Sequence, residues 1–110
     1  MVETPMGGCV LDLDARRILR ALRHRVRYRY VKPRVLREEE GWRVVSPCCS
    51  RNIDAFGAEI DIALLRVEPP RWHLYARNHQ QGCWIEVDHS DGIQELLDML
   101  CLDPHRVFWP

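Results

Sequence analysis

Hydrophobic and polar positions change their period several times along this chain. From Asp14 to about Arg25, Ala15, Ile18, Leu19 and Leu22 fall on one stripe of a 3.6-residue repeat. Arg16, Arg17, Arg20, Arg23 and His24 fall largely off it. This spacing predicts an amphipathic helix with Asp14 as its N-cap. "RVRYRYV" then alternates strictly, with Val26, Tyr28 and Tyr30 on one side and Arg25, Arg27 and Arg29 on the other. Period two with a polar face predicts a half-exposed strand, ended or bent at Pro33.

Four further strands are expected. A turn at Gly41 leads into a strand through Trp42, Val44 and Val45, and "SRNIDAFGAE" reads as a loop. "EIDIALLRV" places Ile60, Ile62 and Leu64 on one face, and Glu68, Pro69 and Pro70 end it. "RWHLYARN" and "CWIEVDH" are two β-type runs whose aromatics suit a pleated surface, and residues 79–82 form the hairpin connection between them. The last segment returns to helical period: Ile93, Leu96, Leu97, Leu100 and Cys101 follow i, i+3, i+4, i+7, i+8. Asp91 and Gln94 have capping-box spacing, and Asp103-Pro104 is a stop. Val107, Phe108 and Trp109 are too apolar for solvent and are expected to pack back on the sheet.

The connections are too short for the crossovers that parallel strands need. The pattern therefore predicts an α+β domain: an antiparallel β-meander of four to five strands flanked by an N-terminal and a C-terminal helix. Residues 1–13 are expected to be a flexible tail, given Pro5, Gly7 and Gly8, and residues 14–110 a single domain.

Composition narrows the class. At 46% hydrophobic and 29% charged, the chain has apolar material for one core without disulfide staples. No window approaches the roughly 20 apolar residues of a membrane span. The first residues lack the basic and apolar regions of a secretory signal. Five cysteines, an odd number without a framework, read as reduced thiols in a cytoplasm. The expected protein is cytoplasmic, a monomer or homodimer without a membrane partner. Net charge is zero, but residues 15–37 hold ten Arg or Lys and no Asp or Glu. Such asymmetry marks either a face for an anionic partner or an attraction between two parts of one fold.

Three stretches carry a family resemblance: "RRILRALRHRVRYRYVKP", "WHLYARNHQQGCWIEV" and "LLDMLCLDPHRVFWP". A helix leading into a basic segment, an aromatic hairpin, and a helix closing with Asp-Pro and Phe-Trp together resemble a bacterial family, the domain of unknown function 3024. The resemblance implies no activity, cofactor or site. "SPCCSRNID" lies outside those motifs.

Two candidate sites follow from residue chemistry. On a strand, Arg25, Arg27 and Arg29 would stand about 6.5–7 Å apart, near the phosphate spacing of an extended nucleic-acid strand, with Lys32 beyond them. Tyr28 and Tyr30 would then face away and stack poorly on bases. This basic helix-strand face predicts a non-catalytic interaction module for an acidic protein or a nucleic acid. The alternative to partner binding is pairing with Asp61, Glu86 and Asp88 across the fold. The second candidate is Cys48-Cys49. Their Cα atoms, about 3.8 Å apart, are too close for an ordinary disulfide. On an extended backbone one thiol faces the core and the other solvent. With His79 and Cys83 from the hairpin tip, and His73 as a further candidate, they would supply donors for zinc. Alternatively, a thiol activated by Arg51 with a histidine base would be reactive. Neither reading has a sequence-local partner set. No His-Glu-x-x-His, Gly-rich phosphate loop or Gly-x-Ser-x-Gly appears. The aromatics of the hairpin fall on both sheet faces, where a partner, a second layer or the chain itself would cover them.

Overall fold

Alternation along the strands divides the sheet into a buried and an open face, and both helices cover the buried one. The structure, a computed structural model, describes residues 4–110, with side chains from Leu13 onward. In chain order the elements are α1 (Thr4–Leu22), β1 (Arg34–Glu38), β2 (Gly41–Pro47), β3 (Glu59–Glu68), β4 (Arg71–Asn78), β5 (Cys83–Ser90) and α2 (Ile93–Leu102). The five strands form one antiparallel sheet in sequence order, β1-β2-β3-β4-β5. This is the expected α+β meander with a helix at each end.

Cross-strand partners share a face, so register fixes what is buried. Val35, Val44, Ala63 and Ala76 form one row across β1 to β4, and Trp42, Leu65 and Leu74 another. Ile18 and Leu22 of α1 and Ile93, Leu96, Leu97, Leu100 and Cys101 of α2 close over these rows. Burying one such aliphatic side chain stabilises by about 1.5–3 kcal/mol. An exposed ion pair contributes about 0.2–1 kcal/mol, so burial decides which face the helices take.

The open face carries charges in a lattice. Arg43 bridges Glu38 (2.9 Å) and Asp61 (2.6 Å), Arg77 lies 3.6 Å from Asp61, and Arg66 pairs with Glu40. The Arg77 guanidinium also lies 5.1 Å from the Trp84 ring centroid, which covers one open-face aromatic from within the chain. Asp61 and Glu86, set against the basic stretch in the sequence-based alternative, take other partners: Asp61 faces Arg43 and Arg77, and Glu86 faces His73 and His89.

Four local expectations are corrected. Helix α1 begins at Thr4, so Asp14 lies inside it and is not its cap; residues 1–3 of the expected tail lie outside the described residues. Leu19, placed on the buried stripe, is 42% exposed. The Asp91/Gln94 capping box does not form. Gly92 is the N-cap without a side-chain bond, Gln94 donates to Asp98 (2.9 Å), and Asp91 lies 3.4 Å from Arg71. The Ser90 hydroxyl organises this corner, accepting from the Gly92 N–H at 3.2 Å and donating to Glu95. The largest correction is that residues 25–31 are not a strand; the edge strand β1 lies after Pro33 instead.

The C-terminal segment behaves as expected for two of its three apolar residues. Trp109 and Phe108 are buried, while Val107 stays half exposed. Asp103 ends α2 in a left-handed conformation (φ 37°) and is itself buried. Its carboxylate accepts the N–H groups of Val107 (2.7 Å), Phe108 (3.1 Å) and Trp109 (2.9 Å), while Trp109 Nε1 donates to the Leu100 carbonyl (2.8 Å). A carboxylate satisfied by three backbone donors is a charge the core tolerates.

Candidate anion-binding surface

The stretch after α1 is an irregular loop because its polar groups find partners that no sheet ladder supplies. Arg25 folds back on its own segment, donating to the carbonyls of Leu22 (2.8 Å), Tyr28 (2.7 Å) and Val31 (2.5 Å). Tyr28 takes a left-handed conformation (φ 58°), which breaks the alternation and turns its ring inward. Its ring centroid lies 5.4 Å from that of Trp109, and its hydroxyl donates to the Pro110 carbonyl at 2.8 Å. Burial pushes the Tyr28 phenol up to about 12. Arg27 reaches to the far end of the chain, donating to the carbonyls of Asp103 (2.8 Å) and Pro104 (3.0 Å). Arg25 and Arg27 thus tie the loop to itself and to the C-terminal segment.

The expected basic face is therefore divided. Arg25 and Arg27 are half-buried clasps, whereas Arg29 and Lys32 are exposed. Among the described residues, Arg23, Arg29, Lys32 and Arg106 lie within ion-pair distance of no carboxylate. Two open grooves flank Arg29. One, of about 490 Å³, lies between the end of α1 and the loop, with Arg23, Arg29 and Lys32 on its walls. The other, of about 340 Å³, is lined by Arg27, Arg29, Tyr30, Cys49 and Arg106 among others. Neither is lined by an Asp or Glu. Tyr30 is fully exposed. On a strand it would have faced away from Arg25, Arg27 and Arg29; on the observed loop it shares a groove with two of them, Arg27 and Arg29, and with Arg106.

The cysteine pair is split as an extended segment requires: Cys48 is buried and Cys49 exposed. Cys48 Sγ donates to the Ser50 carbonyl (3.1 Å) and accepts the Ser50 N–H (3.4 Å), a local turn. Burial pushes the Cys49 thiol up, Cys48 adds to this, and Arg25 opposes it. The neighbouring cation is Arg25 where Arg51 was expected, and it does not prevail. No histidine lines the Cys49 groove. This is the environment of a protonated thiol without a base.

The hairpin tip does not complete a metal site with the cysteines. The Cys48 N–H bonds to the Ala58 carbonyl beside β3, β3 pairs with β4, and Cys83 opens β5, so β4 lies about two strand spacings (roughly 10 Å) and Cys83 about three from the end of β2. Among the described residues, Cys48, Cys49, His79 and Cys83 form no group of three whose donor atoms lie within 4.8 Å of one another. His79 is held below its ordinary value first by burial and then by Arg77, with Asp61 opposing; Cys83 is exposed at the tip. Among the described residues, the three-residue group whose donor atoms all lie within 4.8 Å of one another is His73, Glu86 and His89, on the open face.

Sequence reasoning set Tyr30 aside, placed His73 only with the cysteines, and missed Arg106 and the grouping of His73 with Glu86 and His89. Tyr30 and Arg106 join the groove only because Tyr28 and Arg106 adopt left-handed conformations (φ 58° and 56°), for which a non-glycine residue gives weak local signal. The alternation that put His73 opposite the core was readable. Its register against β5 was not, because a bulge at Leu74/Tyr75 shifts the pairing.

The fold and surface define a small α+β domain with a one-sided helical layer. The chain belongs to the family described as Domain of unknown function (DUF3024), whose model matches residues 10–110. No curated protein and no solved structure matches it. No helix among the described residues is long and apolar enough to cross a membrane.

Proposed function

We propose that this domain is a non-catalytic binding module for single-stranded nucleic acid, using the two grooves on either side of Arg29. The observation that carries the reading is Tyr30, fully exposed in a groove with Arg27, Arg29 and Arg106 and no Asp or Glu in its lining. Cations spaced along a groove follow a phosphate backbone, and an adjacent aromatic face stacks a base without regard to its identity. Arg23 and Lys32 extend the cationic track into the second groove. An acidic protein would use the same cations but would not need the ring, so Tyr30 separates the two partners.

Fluorescence anisotropy with a labelled single-stranded oligonucleotide tests this. Tyr30→Ala is expected to weaken binding by about 5- to 150-fold, the range for loss of one stacked base. No binding by the unaltered protein at low salt overturns the reading. Binding that ignores Tyr30→Ala turns it towards an acidic protein partner.

A further inference from the structure

We propose that His73, Glu86 and His89 form a binding site for Zn²⁺ or a chemically similar divalent transition-metal ion on the open face of the sheet. His73 on β4 and His89 on β5 are direct cross-strand partners. The bulge that follows brings Glu86 back beside them. Glu86 Oε2 lies 2.8 Å from His73 Nδ1 and 3.6 Å from His89 Nδ1. Two imidazole nitrogens from adjacent strands thus face one carboxylate oxygen. Ligand atoms about 2.0–2.2 Å from a tetrahedral zinc ion lie roughly 3.3–3.6 Å from one another, and the two distances bracket that spacing.

One tautomer of His73 leaves room for a cation at this point. His73 Nε2 lies 3.3 Å from Glu68 Oε1, so the ring has a carboxylate on each side. A neutral imidazole has one N–H and satisfies one of them. If that proton sits on Nε2 and serves Glu68, the Nδ1 lone pair and the Glu86 oxygen face each other with nothing between them. A metal ion at that position is bound by both, and Glu68 becomes the outer carboxylate that fixes the ligand's tautomer and orientation. His73 is the most enclosed member, with 17% of its side chain exposed, while Glu86 and His89 line the accessible side. Two imidazoles and a carboxylate suit zinc and its neighbours in the first transition row better than calcium or magnesium. Three protein donors leave a fourth position for water. The alternative is a metal-free site in which the His73 Nδ1–H donates to Glu86 at 2.8 Å.

Calorimetric titration of the full chain with Zn²⁺, with Co²⁺ absorption as a second readout, decides between them. One equivalent is expected to bind. His89→Ala and Glu86→Gln are expected to weaken it by at least about tenfold, and Glu68→Gln by about 10- to 100-fold, the range for an outer-shell partner. Circular dichroism checks that these exposed substitutions leave the fold intact. A double Cys49→Ser, Cys83→Ser variant should bind as before, and the cobalt complex should show no thiolate charge-transfer band. The absence of saturable binding at one equivalent overturns the site. So does binding that survives His89→Ala but is lost with the two cysteines.

Discussion

Arg25 directs its guanidinium donors to three backbone carbonyls, while Arg29, four residues on, is exposed and lies within ion-pair distance of no carboxylate among the described residues. Both are formally the same charge in the same run, so their roles separate only by geometry. The Leu22 and Tyr28 carbonyls keep backbone donors, the N–H groups of Arg25 (3.2 Å) and Val31 (3.4 Å), so it is the partly buried Val31 carbonyl that loses its donor with the Arg25 side chain, at about 1–3 kcal/mol. Arg25→Met is therefore expected to lower unfolding stability by about 1–3 kcal/mol, whereas Arg29→Gln should stay within about 0.5 kcal/mol of the unaltered protein. Urea denaturation of the two variants measures both. Equal losses would mean that the loop does not depend on the Arg25 clasp.

At the scale of elements, the β1–β2 hairpin depends on one missing side chain. A Cβ at Gly41 would lie 1.9 Å from the Leu65 carbonyl oxygen and 2.8 Å from the Arg66 Cα, both backbone atoms that cannot move aside singly. Gly41→Ala is expected to destabilise by roughly 3 kcal/mol, at the upper end of overpacking costs. Gly92→Ala, with nothing within 4 Å of the new methyl group, should be nearly neutral. Thermal denaturation of the pair checks the contrast. The strands β3, β4 and β5 were legible in the sequence because they are bounded by Pro69-Pro70 and by the Asn78–Gly82 turn, all local signals. The expected face of β3 was not: the bulge at Val44/Val45 interrupts its alternation, so Ile62, Ala63 and Leu65 are buried and Leu64 lies on the open face opposite Arg43 and Tyr75. Helix α2 was legible from its apolar period, but its start was not, since Ser90 and Glu95 organise the corner where Asp91 and Gln94 have the expected spacing. The stretch 25–31 alternates as a strand does, yet Arg27 and Tyr28 take partners 76 to 82 residues away. No local pattern encodes a hydrogen bond to a carbonyl at the other end of the chain. The same ignorance hid the candidate surface: Tyr30 shares a groove with Arg27, Arg29 and Arg106 where Tyr28 leaves the strand conformation.

Across the whole molecule, the zero net charge resolves into two regions. The open sheet face pairs its cations with carboxylates, whereas the α1-to-β1 side keeps Arg23, Arg29 and Lys32 without such partners among the described residues. The two helices are tied beneath this surface by Cys101, whose thiol donates to the Ala21 carbonyl at 3.2 Å. Burial pushes the Cys101 thiol up to about 11 from its ordinary 9.0, with Asp98 adding and Arg25 opposing. The fold therefore favours the neutral thiol. This contribution is complete below about pH 9 and is lost as pH rises through about 11, since the unfolded chain releases the proton first. In Cys101→Ala the fall in urea midpoint between pH 9 and 11 should be shallower than in the unaltered protein. An unchanged slope would show that other groups, such as the Tyr28 phenol, dominate the alkaline limit.

The division of the basic stretch into clasp and surface is most directly tested by salt. For single strands, the logarithm of the binding constant falls with the logarithm of salt concentration by about 0.7 per neutralised phosphate. Measured with a single-stranded oligonucleotide, the double variant Arg29→Gln, Lys32→Gln is expected to bind more weakly and to lower the magnitude of that slope by about 1.4, with stability unaffected. Unaltered affinity and slope in that variant would contradict the account.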